Sequence, residues 1–296
     1  MSWLLFSRSV IVLLTKVISC PNFFLFAIPI HSISVFSGMG ITAGAHRLWS
    51  HRSYEASLLV RIVLMVCNSI AYQGSIYHWT RDHRTHHKYS ETNADPHNST
   101  RGFFFSHIGW LLLKKHPNVI EQGNNIDVSD LTQDNVVMFQ QYLHPWFALY
   151  MCMIMPAQVA YYGWNESLLN GILVPGILRY TLALHMTFLV NSAAHVYGDH
   201  PYDSTIPSAE NPIVAFLAFG EGWHNYHHKY PYDYATSEYG ILTQYNPTKL
   251  FLDVLASLGL IWNRKRATSV WELRKKRLKL QGLHHHQQHH RHQHQQ

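Results

Sequence analysis

The chain of 296 residues contains 47% hydrophobic residues and only 14% charged residues, whereas soluble domains carry about 25% charged residues. This composition argues against an ordinary soluble protein and favours a membrane protein. The net charge of +6 suits nucleic acid or an anionic membrane surface, and the absence of any nucleic-acid motif favours the surface and an anionic ligand. The three cysteines lie in apolar runs, so the sequence predicts no disulfide framework.

The first two apolar segments differ in charge. Residues 1–20 are apolar but contain Arg8 and Lys16, so we interpret them as an incomplete first transmembrane segment. No convincing cleavable signal is present there, since Lys16 interrupts the apolar run. Residues 22–45 carry no charge and are long enough to cross the hydrocarbon core of a bilayer, so they are predicted to span it.

Three later segments are also apolar. Residues 145–163 are uncharged, and residues 168–190 form a long run interrupted by Arg179 and His185. Both are predicted to span the membrane. Residues 58–77 have a similar composition, but they separate two histidine clusters that must share one side of the membrane if they form one site. We therefore expect 58–77 to lie at the membrane face without crossing it.

The distribution of basic residues predicts the orientation. Residues 46–142 contain nine lysines and arginines, the part from residue 194 contains eleven, and the loop 164–167 contains none. By the positive-inside rule, the histidine-rich side is cytosolic. The prediction is therefore an all-α integral membrane protein with four transmembrane helices, a cytosolic helical cap and both termini in the cytosol.

Three short motifs concentrate the histidines: HRLWSH at 46–51, HRTHHK at 83–88 and HNYHHK at 224–229. In the second and third, the histidines are spaced i, i+3, i+4, which places them on one face of a helix. Eight imidazoles exceed the four ligands of an ordinary zinc site, so the pattern indicates two metals. Imidazole suits iron, copper, nickel and zinc. No H-E-x-x-H motif occurs, which removes support for a metalloprotease.

A ninth histidine, His195, follows the last predicted span, and Asn191 lies four residues before it, so both can face one site. Glu221, three residues before His224, is a candidate partner for an imidazole ring. Isolated histidines are expected to be surface or satisfied core residues: His31, His97, His107, His116, His144, His185 and His200. The tail 266–296 is basic and then rich in Gln and His, which favours a low-complexity segment over a metal site.

The motifs are longer than bare histidine boxes. GITAGAHRLWSH, WTRDHRTHHKYSETNADPHN, RGFFFSHIGWLL and GEGWHNYHHKYPYDY resemble the membrane acyl-CoA desaturases, specifically the stearoyl-CoA (delta-9) group of animals. The resemblance extends over about residues 22–265, which we take as the desaturase domain. It implies insertion of a cis double bond into a saturated fatty acyl-CoA in the endoplasmic reticulum membrane. The reaction would use O2 and two electrons from cytochrome b5 and its reductase.

The resemblance also implies a non-haem di-iron centre, in which zinc can substitute in preparations. One iron would take His46, His51, His83, His87 and His227. The other would take His86, His195, His224 and His228, with Asn191 reaching it through a water. Three residues would line the bend of an acyl tunnel: Gln73, Trp79 and Thr187. Four would hold coenzyme A: Arg81, Asp82, Lys114 and Lys115.

Other functions remain open on the sequence alone. A fatty-acyl hydroxylase uses the same kind of site, because both reactions begin by removing hydrogen from a methylene. A metal transporter is a different class, and the histidines clustered beyond the ends of the spans argue against it. An inactive paralogue is a third alternative. The basic stretch 263–280 suits an acidic electron donor, an anionic membrane or plain solvent equally well.

Overall fold

The computed structural model describes residues 23–273 and 275–276. The predicted segment 1–20 and most of the tail 266–296 lie outside these residues. The described part is mostly helical, as predicted. Its α-helices are α1 (Phe23–Met39), α2 (Leu58–Ala71), α3 (Ile76–Tyr89), α4 (Trp110–Leu112), α5 (Pro117–Asn124), α6 (Ser129–Thr132), α7 (Asn135–Leu143), α8 (Trp146–Leu149), α9 (Met155–Trp164), α10 (Leu168–Gly171), α11 (Arg179–Asn191), α12 (Pro212–Leu217), α13 (His224–Lys229) and α14 (Pro247–Ser257).

Several helices are extended by π-helical or 3-10 turns. The π-helical segments are Gly40–Ser50, which continues α1, Phe105–Gly109 before α4, Tyr150–Ile154 between α8 and α9, and Ile172–Leu178 between α10 and α11. Short 3-10 turns occupy Ser99–Arg101 and Ala193–His195. Within the described residues, the only strands are β1 (Glu55–Ala56) and β2 (Ile261–Trp262), which pair antiparallel. This pairing joins the C-terminal part of the cap to the region after the first histidine motif.

One continuous helix in the described part of the chain is long and apolar enough to cross a membrane. It comprises Leu168–His195, 28 residues, and therefore contains the predicted span 168–190. The predicted spans 22–45 and 145–163 are also helical, from Phe23 and from Trp146. The long helix ends at His195, so this apolar helix leads directly into the histidine-rich region.

An elbow separates α2 from α3. The two helices meet at an angle of 83° across the short turn after Ala71. Tyr72 at φ 48° and Gly74 at φ 95° make the reversal, and the Ser75 side chain caps the start of α3 by accepting the His78 backbone N–H. The elbow aims α3, with the second histidine motif, away from the direction of α2.

The first histidine motif is placed by close packing of the α1 extension against α2. At Gly40, an added Cβ would lie 2.1 Å from the backbone nitrogen of Asn68 and 2.3 Å from the backbone carbon of Cys67. Both neighbours are main-chain atoms, which no rotamer change can move. Glycine at this position therefore lets the two helices approach closely enough to fix the segment that carries His46.

Replacing Gly40 with alanine is expected to destabilise the protein by about 3 kcal/mol or more, because overpacking against backbone forces the helices apart. The measurement is the midpoint of thermal unfolding in detergent, together with the amount of folded protein. Gly163→Ala is the matched control, since nothing lies within 4 Å of its added Cβ. Equal midpoints for the two variants would contradict the close-approach argument.

Candidate metal centre and cavity

Five histidines converge from three parts of the chain. Their ring nitrogens lie within 4.8 Å of one another, and all five can hold a single metal ion: His46, His51, His83, His87 and His227. The π-helical extension of α1, the residue after it, α3 and α13 supply them. His227 is central, with its Nε2 3.0 Å from Nε2 of His46 and 2.9 Å from Nε2 of His87.

Four further histidines form a second group directly beside the first. Their ligand atoms also lie within 4.8 Å of one another: His86, His195, His224 and His228. The Nε2 atom of His224 is 3.0 Å from those of His195 and His228. The rings of His87 and His228 stack with their centroids 4.3 Å apart, so the two groups share a wall.

In three of these histidines, a hydrogen bond to a carboxylate fixes the proton on Nδ1 and leaves the lone pair on Nε2. His46, His86 and His195 each place Nδ1 2.8 Å from a carboxylate, to which it donates. Neutral rings bonded in this way present an unprotonated Nε2. His46 Nε2 then faces His227 Nε2, which also approaches His87, and one N–H cannot satisfy both neighbours. A cation at the centre of each group resolves this crowding, so the donor set fits a bound metal.

Burial favours the neutral form of the three rings on α13. Burial, followed by the charge of neighbouring histidines, holds the pKa values of His224, His227 and His228 well below the usual value for histidine. Neutral imidazole is the form that binds metals, because the ligand nitrogen must be deprotonated. The four contacts between Nε2 atoms therefore belong to rings prepared for metal ligation rather than to charged surface histidines.

Three carboxylates orient the rings, two of them buried and the third, Glu91, half-buried. Glu221 accepts from His46, Asp95 accepts from His86, and Glu91 accepts from His195. Burial raises the pKa of Asp95, but the charge of the His86 ring and its hydrogen bond lower that pKa by more. The net pKa of Asp95 is therefore below the usual value. Asp95 also accepts the backbone N–H groups of Glu91 and His97, at 2.9 Å each. These carboxylates fix ring rotation and tautomer, as outer partners of metal ligands do.

A fully buried arginine holds one of these carboxylates. Arg47 donates from Nη2 to Glu221 at 3.0 Å and to the Thr236 hydroxyl at 2.8 Å. Burial raises the pKa of Glu221, but His46 and Arg47 lower that pKa by more. The net pKa of Glu221 is therefore below the usual value. Arg47, Glu221 and His46 thus form a chain from the cap core to the first histidine group.

A cavity of about 390 Å³ lies against both groups. His46, His83, His86 and His224 line one end of it, and its remaining walls are mostly apolar. Its walls come from the α1 helix, the elbow, α11 and the segment around α12. The shape suits a long apolar ligand with one part held beside the histidines.

The residues predicted for the tunnel bend lie together in this cavity. Gln73 Nε2 donates to the Thr187 hydroxyl at 3.0 Å, which ties the elbow to α11. Trp79 stacks on His83 with ring centroids 4.8 Å apart, and it also lines the cavity. Asn191 lines the cavity as well, near the end of α11.

Three of the four residues predicted to hold coenzyme A are connected by ion pairs. Arg81 forms an ion pair with Asp82 at 3.1 Å, and Lys115 pairs with the same carboxylate. Lys114 is exposed beside Lys115. These residues lie on α3 and after α4, and none of the four lines the cavity.

The sequence is similar to known proteins over most of its length. The model of the fatty acid desaturase family matches residues 22–249. The chain is 55% identical over 234 residues to stearoyl-CoA desaturase 5 of Homo sapiens, which covers 79% of this chain and 70% of that protein. It is 56% identical over 234 residues to an acyl-CoA desaturase of Cyprinus carpio, with coverage of 79% and 71%. The chain belongs to the fatty acid desaturase family.

The resemblance seen in the histidine motifs is therefore confirmed for this desaturase. A third relative, acyl-CoA desaturase 1 of Tachysurus fulvidraco, is 57% identical over 232 residues, covering 78% of this chain and 70% of that protein. The match covers all three histidine motifs and His195. The family model thus covers the part of the chain that builds the two histidine groups and the cavity.

The sequence reasoning missed three residues of this desaturase site. Glu91 and Asp95 follow the second motif, and only their acidic character marked them. His97, which is expected to be a surface or satisfied core residue, is half-buried and belongs with His86 and Asp95 to a group that could hold a cation. Its ring packs edge-on against Trp110, with centroids 4.4 Å apart. The turn after α3 brings these residues back to the histidines, which spacing alone did not reveal.

Proposed function

We propose that the chain is an acyl-CoA desaturase that inserts a cis double bond, at the delta-9 position, into a saturated fatty acyl-CoA. The electrons would come from cytochrome b5 and its reductase, and the oxidant would be O2. One observation carries the proposal: two adjacent groups of buried or half-buried histidines lie against one mostly apolar cavity. The names of the relatives, stearoyl-CoA and acyl-CoA desaturases, support the same substrate class.

Two irons are the proposed cofactors, with zinc as a substitute in preparations. The histidines of the first group would hold one iron and those of the second the other, with Asn191 acting through a water. Bound iron would supply the O2-dependent oxidation of an unactivated methylene, which side chains cannot perform. The nine-histidine donor set suits such a metal, because imidazole binds iron and each of the two groups consists of histidines.

The chain's own residues would position the substrate. The apolar wall would exclude water and hold one pair of methylenes beside the histidines. The double bond would therefore form at one position of the acyl chain. Gln73 and Thr187 would fix the bend of the chain, and Trp79 would close the wall beside His83. The carboxylates Glu221, Asp95 and Glu91 would hold the ligand rings in their tautomers throughout.

The polar end of the substrate would bind at the surface. Arg81, Lys114 and Lys115 place cationic groups near one another, and Asp82 orients two of them through ion pairs. Cations of this kind bind phosphate oxygens through charge-assisted hydrogen bonds. We therefore assign the coenzyme A phosphates to this cluster.

We further propose four spans in the endoplasmic reticulum membrane, with the histidines and both termini in the cytosol. The long helix ending at His195 supports a crossing next to the site. The α2 helix supports an in-plane position, because it exposes large apolar side chains along one side: Leu58, Leu59, Ile62 and Val63. The basic residues concentrated on the histidine side support the orientation.

The test is expression in a yeast strain that lacks its own delta-9 desaturase. We expect a new cis monounsaturated fatty acid with a delta-9 double bond, identified by gas chromatography with location of the double bond. Cells with the empty vector provide the baseline, and an immunoblot of the membrane fraction confirms the protein. Hydroxylated fatty acids in place of alkenes would overturn the assignment in favour of a hydroxylase. Abundant membrane protein without either product would reject enzymatic turnover.

A further inference from the structure

A buried cation lies within the long membrane helix of this chain. Arg179 begins α11 and is only 1% exposed. Among the described residues, no carboxylate forms an ion pair with it. An ionisable group inside a membrane segment is costly, and its presence indicates a function for which its partners should be sought.

Arg179 donates to main-chain carbonyls from three elements and to the Sγ atom of Cys152, which lies 3.1 Å from its Nη2. Its Nε donates to the carbonyl of Pro175 at 2.7 Å. Its Nη2 lies 3.2 Å from the carbonyl of Cys152 and 3.4 Å from that of Ile70. Pro175 and Cys152 lie in two π-helical segments, and Ile70 lies in the last turn of α2. One side chain thus joins two irregular membrane segments to the base of the elbow.

The elbow has two further attachments to α11. The Tyr180 hydroxyl donates to the carbonyl of Tyr72 at 3.3 Å, and Gln73 donates to Thr187 at 3.0 Å. Residues Ile70, Tyr72 and Gln73 are therefore all bonded to one helix. Because Tyr72 has a left-handed backbone, the turn needs such contacts to hold a single conformation.

Arg179 also borders the cavity, at a different depth from the tunnel bend. Both Arg179 and Thr187 line it, and α11 runs about 12 Å from one to the other at ~1.5 Å per residue. The histidines lie beyond Thr187 in the opposite direction. Arg179 is therefore placed at the distal section, on the side of the bend away from the metal groups.

We propose that Arg179 is a positioning residue for substrate length: it fixes the distal wall of the acyl cavity by bonding the elbow and the two π-helical segments together. The inference rests on the proposed desaturase function and deepens it. Gln73 and Thr187 hold the bend, whereas Arg179 and Tyr180 hold the wall beyond it. The position of the double bond and the preferred chain length are thus set by separate contacts.

The experiment uses the full chain in the desaturase-deficient yeast and measures the ratio of palmitoyl-derived to stearoyl-derived monounsaturated products. Arg179→Met is expected to weaken chain-length discrimination by about threefold or more, which is a part of the roughly 10- to 200-fold discrimination that a hydrophobic pocket achieves for one methylene. The double bond should stay at the same carbon. Arg179→Lys, which keeps a donor, should retain most of the discrimination, and Tyr180→Phe should shift the ratio in the same direction by less.

Thr181→Val is the matched control, because Thr181 is exposed on the same helix, and it should leave the ratio unchanged. A ratio does not depend on how much enzyme accumulates, so it separates positioning from simple loss of protein. If Arg179→Met does not accumulate, Tyr180→Phe decides the question, with Arg179→Lys as the variant that keeps a donor. Unchanged ratios in every accumulating variant would overturn the inference alone. Absence of product from the unsubstituted chain would instead overturn the proposed function and this inference with it.

Discussion

His227→Ala and His228→Ala should each abolish the monounsaturated product, lowering it by about 100-fold or more, beyond the roughly 10- to 100-fold cost of losing an outer partner of a ligand. The two residues are adjacent on α13, yet His227 contacts His46 and His87 in the first group, and His228 contacts His224 in the second. The pair therefore tests both groups with minimal change of backbone. Each variant should also lose about one metal ion per chain, measured by elemental analysis of purified protein.

His200→Ala is the control for that pair. His200 is exposed, and its Nε2 lies 3.0 Å from the carbonyl oxygen of Pro207, away from both groups. It should keep full product and full metal content. Wild-type activity in either His227→Ala or His228→Ala would contradict the proposed ligand sets, and so would an unchanged metal content in both.

The helical class and the family could be predicted from sequence because both depend on local patterns. Spacing i, i+3, i+4 places His83, His86 and His87 on one helical face, and the structure has them on α3. The apolar run 168–190 reappears within one long helix. Long motifs around the histidines are specific enough to indicate a family even when the fold is unknown.

The remaining features depend on contacts between distant parts of the chain. Nothing in the spacing of Glu91 or Asp95 shows that the turn after α3 returns them to the imidazoles. In the sequence, Arg179 is only a charged residue that interrupts an apolar run. In the structure, its hydrogen bonds reach the carbonyls of Ile70 and Cys152, which are distant in the sequence. Tertiary packing determines these partners, and neither hydropathy nor periodicity in the sequence predicts them.

Asp95→Asn should lower metal affinity by roughly 10- to 100-fold while leaving the fold intact, because the carboxylate fixes the tautomer of His86. The side chain of Asp95 is fully buried, and asparagine preserves its shape and one acceptor oxygen. The measurement is metal binding in a buffered titration, with thermal unfolding of the metal-free protein beside it. Glu121→Gln, at an exposed position on α5, is the charge-matched control and should change neither quantity.

Glu221→Gln should behave differently, although Glu221 is also bonded to a ligand ring. Its carboxylate serves both His46 and the fully buried Arg47, so neutralising it leaves a buried cation without its counter-ion. Breaking a buried pair in this way costs about 3 kcal/mol, so the metal-free protein itself should unfold at a lower temperature. Asp95→Asn separates metal affinity from stability, and Glu221→Gln couples them. Equal unfolding temperatures for the two metal-free variants would show that Arg47 does not depend on Glu221.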